Sequence, residues 1–498
     1  MKTAKSLQIC GTGSGVGKSI IVAGLCRIFR EQGFKVAPFK AQNMALNSAV
    51  TPDGLEIGRA QSMQAAACRI EPTCDMNPVL LKPTSNVGSQ VIVHGKPVGN
   101  MTAVEYYKYK SKIFGKVKQS LYKLLSENDI VVIEGAGSPA EVNLKKHDIV
   151  NMKIARLIKS PVLLVGDIDR GGVFAWLLGT LGLLPEVEKR LLKGFIINKF
   201  RGDRSLLKGG LDFLEKNSRK KVVGVVPYYT DIKLPEEDSL FFEQAKQKKR
   251  VRNKKIKIVV VKIPHISNFT DFDVFEREKC ADLEYSIDLK VIEAADCVIL
   301  PGTKNTCSDL RFLYGKGIAH IIQKKARENH MVVGICGGYQ MLGRKIIDAA
   351  GIENKGDIDG LGLLNINTFL ERKKATFQVE AKDLATGSLI HGYEIHHGQT
   401  KKAGTCPSLF LIEKRGTKDV NLRDGAINKR GNVWGTYIHG IFDNFYFRKS
   451  FLNKLCARKG VRYKCAKDDF SQENEFDKLA NLLKNNLNME FLERLLQL

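Results

Sequence analysis

The sequence alternates short apolar runs with stretches of helical character, and this rhythm occurs twice along the chain. Parallel strands buried on both faces read as continuous apolar runs, and each is followed by a crossover helix. The first series comprises LQIC, FKVAPF, DIVVIEGAG, PVLLVGDID, KGFIINKF and KVVGVVP, and the second comprises IKIVVVKI, DCVILPG and HMVVGIC. We therefore predict an α/β fold with two domains, each a mainly parallel sheet flanked by helices.

The length supports this division, because one hydrophobic core stops growing at roughly 250–300 residues and the chain has 498. We predict a first domain over residues 1–235, a basic linker over 236–255 and a second domain over 256–450. Apolar residues recur at helical spacing near the end of the chain. Residues 451–498 are therefore expected to form helices packed on the second domain.

Composition excludes several classes of protein. Hydrophobic residues make up 43% and charged residues 27%, which is ordinary for a globular chain, and no apolar run reaches the roughly 20 residues of a membrane span. The N-terminal residues do not resemble a secretory signal. The cysteines number eleven, an odd count without any C-x-x-C pair, so we expect reduced packing residues. These features predict a cytoplasmic protein without a membrane partner.

The net charge of +26 raises the question of nucleic-acid binding. The densest basic run, KQKKRVRNKK, lies in the predicted linker, where a solvated segment is the simpler interpretation. Elsewhere the lysines are scattered. We therefore predict no nucleic-acid partner, although a positive field favours anionic ligands such as ATP or a polycarboxylate.

A glycine-rich segment, GTGSGVGKS, lies between the first predicted strand and a helical stretch. In this context backbone N–H groups and the helix N-terminus can bind phosphates. The usual G-x-x-x-x-G-K-[ST] pattern would require glycine where Thr12 stands, so the loop is a longer variant. The predicted nucleotide-binding residues of this loop are Gly11, Thr12, Gly15, Val16, Gly17, Lys18 and Ser19.

Within that loop, Lys18 would bind the β- and γ-phosphates, and the hydroxyl of Ser19 would ligate Mg²⁺. Carboxylates are expected to complete the metal site. Glu134 ends the strand DIVVIEGAG, and strand C-termini are where α/β sheets place ligand residues. Asp53 is a second predicted metal ligand, but its P-D-G context is equally that of a turn.

Two further strands end in polar residues. Asp167 and Asp169 follow PVLLVG and could serve a metal or the substrate, with Arg170 available for an anionic group. Asn198 and Lys199 end GFIINK, where Asn198 is predicted to read the nucleotide base or to act as a turn residue.

The segment VVGICGGYQMLG places Cys336 between a predicted strand and a predicted helix. Flanking glycines permit a tight turn of the nucleophile-elbow type, which sets the thiol at a helix N-terminus. The backbone N–H of Gly337 would then stabilise an oxyanion. The alternative is a packing cysteine.

A cysteine nucleophile needs a base. We predict His439, which ends the strand-like run NVWGTYIHG, and the alternatives are His396 and His397 in GYEIHHGQT. The PGTK segment follows another strand, and the backbone N–H of Gly302 there is a predicted second oxyanion donor.

These motifs resemble known families. ICGGYQMLG together with YIHGIF resembles class I glutamine amidotransferase domains, which are flavodoxin-like, and GTGSGVGKS resembles the dethiobiotin-synthetase group of P-loop enzymes. Their combination is similar to the cobyric acid synthase family. Further matches extend across nearly the whole chain and include VAPFKAQNMALNS, TPDGLEIGRAQ, NPVLLKP, DIDRGGVFA, NKFRGD, IPHISNFTDFD, LPGTKN and GYEIHHG.

The resemblance implies an ATP-consuming ligase of cobalamin biosynthesis. It would amidate the b, d, e and g carboxylates of adenosylcobyrinic acid a,c-diamide, a corrinoid, through acyl phosphates. MgATP would activate each carboxylate, and glutamine would supply the nitrogen. The family's glutaminase nucleophile falls on Cys336 and its histidine on His439.

One position departs from the usual glutaminase pattern, which has glutamate two residues after the histidine. Ile441 stands there, so the group that orients His439 is not evident, and Asp443 is merely close in sequence. Two other amidotransferases share the architecture, namely cobyrinic acid a,c-diamide synthase and cell-wall amidating enzymes. A P-loop switch ATPase is the alternative from another class.

Overall fold

A computed structural model describes residues 4–83, 88–234, 256–353, 356–462 and 471–498. The chain forms two compact units, of which the first holds residues 1–45, 57–240 and 470–498 and the second holds 46–56 and 241–469. The predicted basic linker, residues 236–255, lies outside the described residues. Each unit contains a mainly parallel sheet flanked by helices, so the predicted α/β class is confirmed.

The elements of the N-terminal half follow the predicted alternation. The strands are β1 (Lys5–Gly11), β2 (Val36–Phe39), β3 (Gln42–Met44), β4 (Ser48–Val50), β5 (Glu56–Gly58), β6 (Val79–Pro83), β7 (Gly88–Val93), β8 (Lys96–Thr102), β9 (Ile130–Glu134), β10 (Val162–Asp167), β11 (Leu192–Phe200) and β12 (Lys221–Pro227). The helices are α1 (Lys18–Glu31), α2 (Arg59–Ala67), α3 (Ala103–Glu127), α4 (Met152–Ile158), α5 (Val173–Gly182), α6 (Glu186–Leu191) and α7 (Lys208–Ser218).

The central sheet of the first unit has the order β12-β11-β10-β1-β9-β2 and is parallel throughout. Its strands are almost wholly buried, because helices cover both faces. The C-terminal ends of β1, β9, β10 and β11 therefore gather at one edge, where ligands bind in open α/β sheets. A second sheet, β3-β6-β7-β8, was not predicted.

The second unit contains a parallel sheet and a larger mixed one. Its strands are β13 (Ile256–Val261), β14 (Ala281–Ser286), β15 (Cys297–Leu300), β16 (Met331–Ile335), β17 (Lys345–Asp348), β18 (Gly356–Asp359), β19 (Ile366–Asp383), β20 (Leu389–Lys402), β21 (Phe410–Arg415), β22 (Lys418–Asp424), β23 (Ala426–Ile427) and β24 (Val433–Thr436). Its helices are α8 (Leu289–Glu293), α9 (Thr306–Gly315), α10 (Ile318–Arg327), α11 (Gly337–Met341) and α12 (Phe445–Arg458), with a 3-10 helix at Phe269–Arg277.

The parallel sheet of this unit has the order β14-β13-β15-β16-β24-β23, in which only the edge strand β23 is antiparallel to its neighbour. It places the ends of β15, β16 and β24 side by side. The mixed sheet has the order β18-β17-β19-β21-β22, and the long hairpin partner β20 pairs with β19.

The last two helices, α13 (Gln472–Asn486) and α14 (Met489–Leu496), belong to the first unit. The prediction that they pack on the second domain is therefore wrong. The apolar face of α13 packs against α1, where a Cβ added at Gly24 would lie 2.4 Å from Leu483 Cδ1. Beside this contact the buried Arg27 donates to Asp477 Oδ1 at 2.7 Å. The amphipathic pattern had indicated a buried face but not its partner.

None of the helices within the described ranges is long and apolar enough to cross a membrane. The ten cysteines in the described part of the chain are all buried.

The packing of α13 predicts where a mutation acts. Leu483→Ala should lower the free energy of unfolding of the first unit by about 2–5 kcal/mol, because a buried leucine is replaced by a cavity. Unfolding can be followed in denaturant by the fluorescence of Trp176, in the first unit, with the other tryptophan, Trp434, replaced by Phe. The exposed Leu498→Ala is the control. In the complementary protein, in which Trp176 is replaced by Phe, a loss reported by Trp434 alone would contradict the assignment.

Candidate active sites

The phosphate loop of the first unit joins β1 to α1. Gly17 has a positive φ of 95°, and a Cβ there would lie 2.2 Å from Asn198 Nδ2. A Cβ at Gly11 would lie 2.6 Å from Val16 Cγ2. Gly17 is therefore required by its backbone conformation, and Gly11 by the lack of space for a side chain.

Two polar groups of the loop face its interior. Lys18 Nζ donates to the carbonyl oxygen of Gly13 at 2.7 Å and to that of Gly137 at 3.4 Å. The hydroxyl of Thr12 is buried and has no hydrogen-bond partner among the described residues. A buried ammonium group and an unpaired hydroxyl on a glycine-rich loop fit a phosphate ligand.

Glu134 ends β9 directly beside the loop. Its carboxylate accepts hydrogen bonds from Ser19 Oγ at 2.9 Å, from Lys40 Nζ at 2.6 Å and from Gln64 Nε2 at 2.6 Å. Burial raises the pKa of Glu134. The charge and hydrogen bond of Lys40, with the hydrogen bond from Gln64 and the charge of Lys18, together outweigh burial and hold the pKa below its ordinary value. An ionised carboxylate therefore lies next to Ser19. The sequence analysis had not identified Lys40 or Gln64.

The structure brings Ser19 and Glu134 together but assigns Asp53 to the other unit. Asp53 is exposed in a turn, where its carboxylate accepts a hydrogen bond from the hydroxyl of Thr51. This is the turn role that the P-D-G context had offered as an alternative. No group of three or more His, Cys, Asp or Glu side chains arranged for a metal occurs among the residues that the structure describes.

Two residues near the end of β11 form hydrogen bonds with the backbone of the phosphate loop. Asn198 Nδ2 donates to the carbonyl of Val16 at 2.9 Å, and Lys199 Nζ donates to that of Gly15 at 2.7 Å. Lys199 also pairs with Asp167 at 2.9 Å. The described side-chain contact of Asn198 is thus with the loop itself, which gives this residue a supporting role.

The remaining polar residues after β10 are partly exposed. Asp169 pairs with Arg201 at 2.8 Å, and Arg170 lies 3.9 Å from Asp167 with its side chain about half exposed. Arg170 is thereby in a position to meet an anionic group from solvent.

In the second unit, Cys336 occupies a strained turn between β16 and α11. Its φ and ψ are 53° and −108°, which is unusual for a residue with a side chain. Packing enforces the turn, because a Cβ at Gly338 would lie 2.0 Å from the carbonyl oxygen of Leu300. The sequence signal for a nucleophile elbow therefore corresponds to an elbow in the structure.

His439 follows β24 and is 1% exposed. Its Nδ1 lies 2.6 Å from Asp271 Oδ2, and Cys336 is near enough to act on its charge. Burial lowers the pKa of His439, but the charges of Asp271 and Cys336 outweigh burial and raise the pKa to about 10. An imidazolium beside the sulfur is the arrangement in which a cysteine acts as a thiolate nucleophile.

Asp271 is the acid that the sequence analysis did not find. It lies on the 3-10 helix Phe269–Arg277, and its second oxygen accepts a hydrogen bond from the backbone N–H of Gly440 at 3.2 Å. The two residues are 168 positions apart in sequence, so no local spacing could reveal the pair. The segment IPHISNFTDFD, noted only as a family match, was the available signal.

The predicted oxyanion residues flank this pair. A Cβ at Gly302 would lie 3.0 Å from His439 Cε1, and one at Gly337 would lie 2.5 Å from Thr303 Cγ2. Gly337 is the first residue of α11, where a backbone N–H has no partner within the helix.

The alternative bases have other contacts. His396 Nδ1 lies 2.8 Å from the carbonyl oxygen of Gly398, and its ring stacks on Tyr437. His397 Nδ1 lies 3.0 Å from the carbonyl oxygen of Glu371. His396 also has an acid partner, because its Nε2 lies 3.5 Å from Glu394 Oε1. His439 differs from His396 in having the charge of Cys336 as a cause of its raised pKa.

Comparison with known proteins covers both units. Residues 7–241 match the CobQ/CobB/MinD/ParA nucleotide binding domain, and residues 257–447 match the CobB/CobQ-like glutamine amidotransferase domain. Cobyric acid synthase of Clostridium botulinum (strain ATCC 19397 / Type A) is 48% identical, covering 97% of this chain and 98% of its own. The chain belongs to the cobyric acid synthase family.

Other cobyric acid synthases match as completely. The enzyme of Dehalococcoides mccartyi (strain CBDB1) is 46% identical, covering 98% of both chains, and that of Syntrophobacter fumaroxidans is 45% identical, covering 99% of both. The family resemblance predicted from the motifs is thus confirmed, and with it a glutamine amidotransferase ligase. A solved glutamine amidotransferase structure, 16% identical over 41% of this chain and 99% of its own, has a TM-score of 0.32, which is too low to support an argument.

The His439–Asp271 pair predicts a pH dependence. Because the folded pKa of His439, about 10, exceeds its unfolded value, the pair stabilises the folded state fully below about pH 6.5 and loses this contribution as the pH rises through 10. Asp271→Asn should remove that dependence, and by analogy with serine proteases it should slow glutamate release from glutamine by roughly 10²–10⁴-fold.

Glutamate release and chemical denaturation, each measured between about pH 6 and pH 10, test this. Asp443→Asn is the matched control, because Asp443 is the acid closest to His439 in sequence. A large loss in Asp443→Asn with normal activity in Asp271→Asn would contradict the assignment.

Proposed function

We propose that this chain amidates the b, d, e and g side-chain carboxylates of adenosylcobyrinic acid a,c-diamide in cobalamin biosynthesis, using ATP and glutamine. The observation that carries the proposal is the Cys336–His439–Asp271 arrangement, in a family member that also has a phosphate loop. A P-loop switch ATPase would leave that arrangement without a role.

The second unit would release ammonia. Cys336 Sγ attacks the side-chain amide carbon of glutamine, and the backbone N–H groups of Gly337 and of the Gly302 turn stabilise the oxyanion. His439 gives its proton to the departing nitrogen, while Asp271 keeps the ring oriented. A thioester remains on Cys336, and water hydrolyses it to glutamate after His439 removes a proton from the water.

The first unit would make each carboxylate reactive. A carboxylate is a poor acyl donor until one of its oxygens becomes a phosphate leaving group. Lys18 would stabilise the negative charge of the transferring γ-phosphoryl group, and the phosphate-loop backbone would hold the nucleotide in line with the substrate. Ammonia then attacks the acyl phosphate, forming the amide and releasing inorganic phosphate.

Mg²⁺ would fit beside this loop. Ser19 Oγ and Glu134 Oε1 are oxygen ligands 2.9 Å apart at the position that P-loop enzymes use for the metal. When bound, the ion would neutralise phosphate charge. Lys40, already on Glu134, would keep that carboxylate ionised.

The substrate class follows from the family and from charge. Each reacting group of the corrinoid is an anionic carboxylate, and Arg170 offers a half-exposed cation 3.9 Å from Asp167, the residue that ends β10. We infer a cytoplasmic enzyme with a small-molecule substrate, and neither nucleic acid nor membrane as a partner.

Two substitutions should separate the halves. Cys336→Ala should abolish glutamine-supported amidation but spare amidation supported by ammonium salt, because the synthetase half does not need the thiol. Lys18→Ala should lower both by about 10²-fold or more, because it removes a charge that stabilises the transferring phosphoryl group. Both rates can be measured as ADP formed. Equal loss of ammonia-supported activity in a folded Cys336→Ala protein would refute this division.

The substrate itself is tested by incubation with the a,c-diamide, ATP, Mg²⁺ and glutamine carrying heavy nitrogen in its amide. Mass spectrometry should show products that gain one labelled amide at a time, because each carboxylate is activated separately. Cobyrinic acid serves as the comparison substrate. Amidation of cobyrinic acid without any product from the diamide would identify an a,c-diamide synthase instead.

A further inference from the structure

Residues 46–56 belong to the second unit although their neighbours on both sides in the chain belong to the first. We call these residues the strap. β4 and the start of β5 pair within it, and the backbone N–H of Thr51 donates to Leu55 at 2.8 Å. Ser48 Oγ, near the start of the strap, donates to Glu56 Oε1, at its end, at 2.8 Å.

The strap is anchored to the mixed sheet of the second unit. Gln378 Nε2 on β19 donates to the carbonyl of Val50 at 2.9 Å. Glu56 forms an ion pair with Lys374, and both side chains are at least 96% buried, since their exposed fractions are 1% and 4%. A buried pair of this kind is costly to break, because the remaining charge would be unpaired.

The strap also holds the residue that begins the turn to Asp271. The backbone N–H of Ser48 donates to Asn268 Oδ1 at 3.2 Å, and Asn47 Oδ1 accepts from the backbone N–H of Phe269 at 3.2 Å. Asn268 has a positive φ of 53°, and its carbonyl accepts from the backbone N–H of Asp271 at 3.1 Å. The strap thus fixes the start of the helix that carries the acid.

From Asn268 the contacts continue to the imidazole. Asn268 Nδ2 donates to Tyr393 Oη at 3.2 Å. The ring of Tyr393 is stacked on that of His439, with centroids 5.2 Å apart and planes 14° apart. The backbones of these two residues also exchange hydrogen bonds at 2.9 and 3.2 Å. Asp271 therefore fixes one ring nitrogen of His439, and Tyr393 fixes the plane of the ring.

A second contact of the strap reaches the nucleophile. Val50 packs with Tyr393 and Ile395 in one buried apolar cluster. The carbonyl oxygen of Ile395 lies 3.5 Å from Cys336 Sγ. Groups that support His439 and Cys336 thus rest on the same eleven-residue segment, residues 46–56.

We propose that the strap is a positioning element of the glutaminase site, acting through Asn268 and Tyr393 on His439. The proposal rests on the glutaminase function proposed above. Neither Asn47 nor Asn268 touches the reacting atoms. Their effect should therefore appear in the turnover of glutamine and in the reactivity of Cys336, and not in the synthetase reaction.

The test uses the full chain with Asn268→Gly, which keeps the left-handed backbone and removes the side chain, and with Asn47→Ala in the strap. Asn329→Gly is the matched control, because Asn329 is an exposed asparagine with a similar φ of 66°. We expect kcat for glutamate release to fall on the order of ten- to a hundredfold in both strap-contact variants, with KM nearly unchanged. Ammonia-supported amidation should stay at the wild-type rate.

Iodoacetamide alkylation of Cys336, read by peptide mass spectrometry over a pH series, is the second measurement. If His439 is less firmly positioned, the rate of Cys336 alkylation should fall together with kcat for glutamate release. Unchanged kcat would overturn the proposal, and so would a fall in kcat with normal alkylation or an equal loss of ammonia-supported amidation. Absence of glutamate release by the wild-type chain would instead refute the glutaminase function.

Discussion

The hydrogen bond between Asp271 Oδ2 and His439 Nδ1 controls the electrostatics of the second unit. Burial by itself would make His439 neutral, because desolvation disfavours the charged form. The carboxylate at 2.6 Å and Cys336 together outweigh this effect, so the pKa of His439 is raised instead of lowered. The strained turn at Cys336 becomes chemically useful only with this pair, since an elbow presents a thiol but does not supply a proton acceptor.

In the first unit, burial and a neighbouring charge likewise act in opposite directions, here on the pKa of Glu134 beside Lys40. Both side chains are buried at the end of β9, and their ion pair holds the carboxylate ionised against desolvation. Gln64 satisfies the other carboxylate oxygen at 2.6 Å. Removing one partner of such a pair leaves an uncompensated buried charge and typically costs 3–5 kcal/mol. Each unit thus keeps one ionised acid at the C-terminal edge of its parallel sheet or next to it.

The features that could be predicted from the sequence are those marked by a local pattern of residues. Apolar runs identified every strand of the first unit's parallel sheet but missed β14 and β23 in the second unit's. Glycine spacing located the loop before Lys18 and the turn at Cys336. Strand ends gave Glu134 and His439, because polar residues that follow buried strands gather at one edge. The mixed sheet was missed, since β19 and β20 carry many exposed charged residues and lack a continuous apolar run.

Long-range pairings had no such signal. Asp271 meets His439 across 168 positions, and Lys40 meets Glu134 across 94. Asp53 and Glu134 both have strand or turn contexts that suit a metal ligand, and only the tertiary structure shows that Glu134 lies beside Ser19. For α13 the pattern specified a buried face, but the groove that receives it depends on Gly24, a small residue with no distinctive context.

The two units therefore do not correspond to the N-terminal and C-terminal halves of the sequence. A second unit made only from residues after the predicted linker would lack the strap. Asn268 would then lose its hydrogen bond from Ser48, and Phe269 would lose its hydrogen bond to Asn47. A first unit ending before the linker would lack α13 and would expose the α1 surface on which Leu479 and Leu483 pack. Each unit includes a segment from the far side of the linker, and in the second unit that segment contacts the residues that support the catalytic histidine. Dividing the sequence at the linker therefore locates the motifs of both sites. It does not identify the supporting residues that come from the other side of the linker.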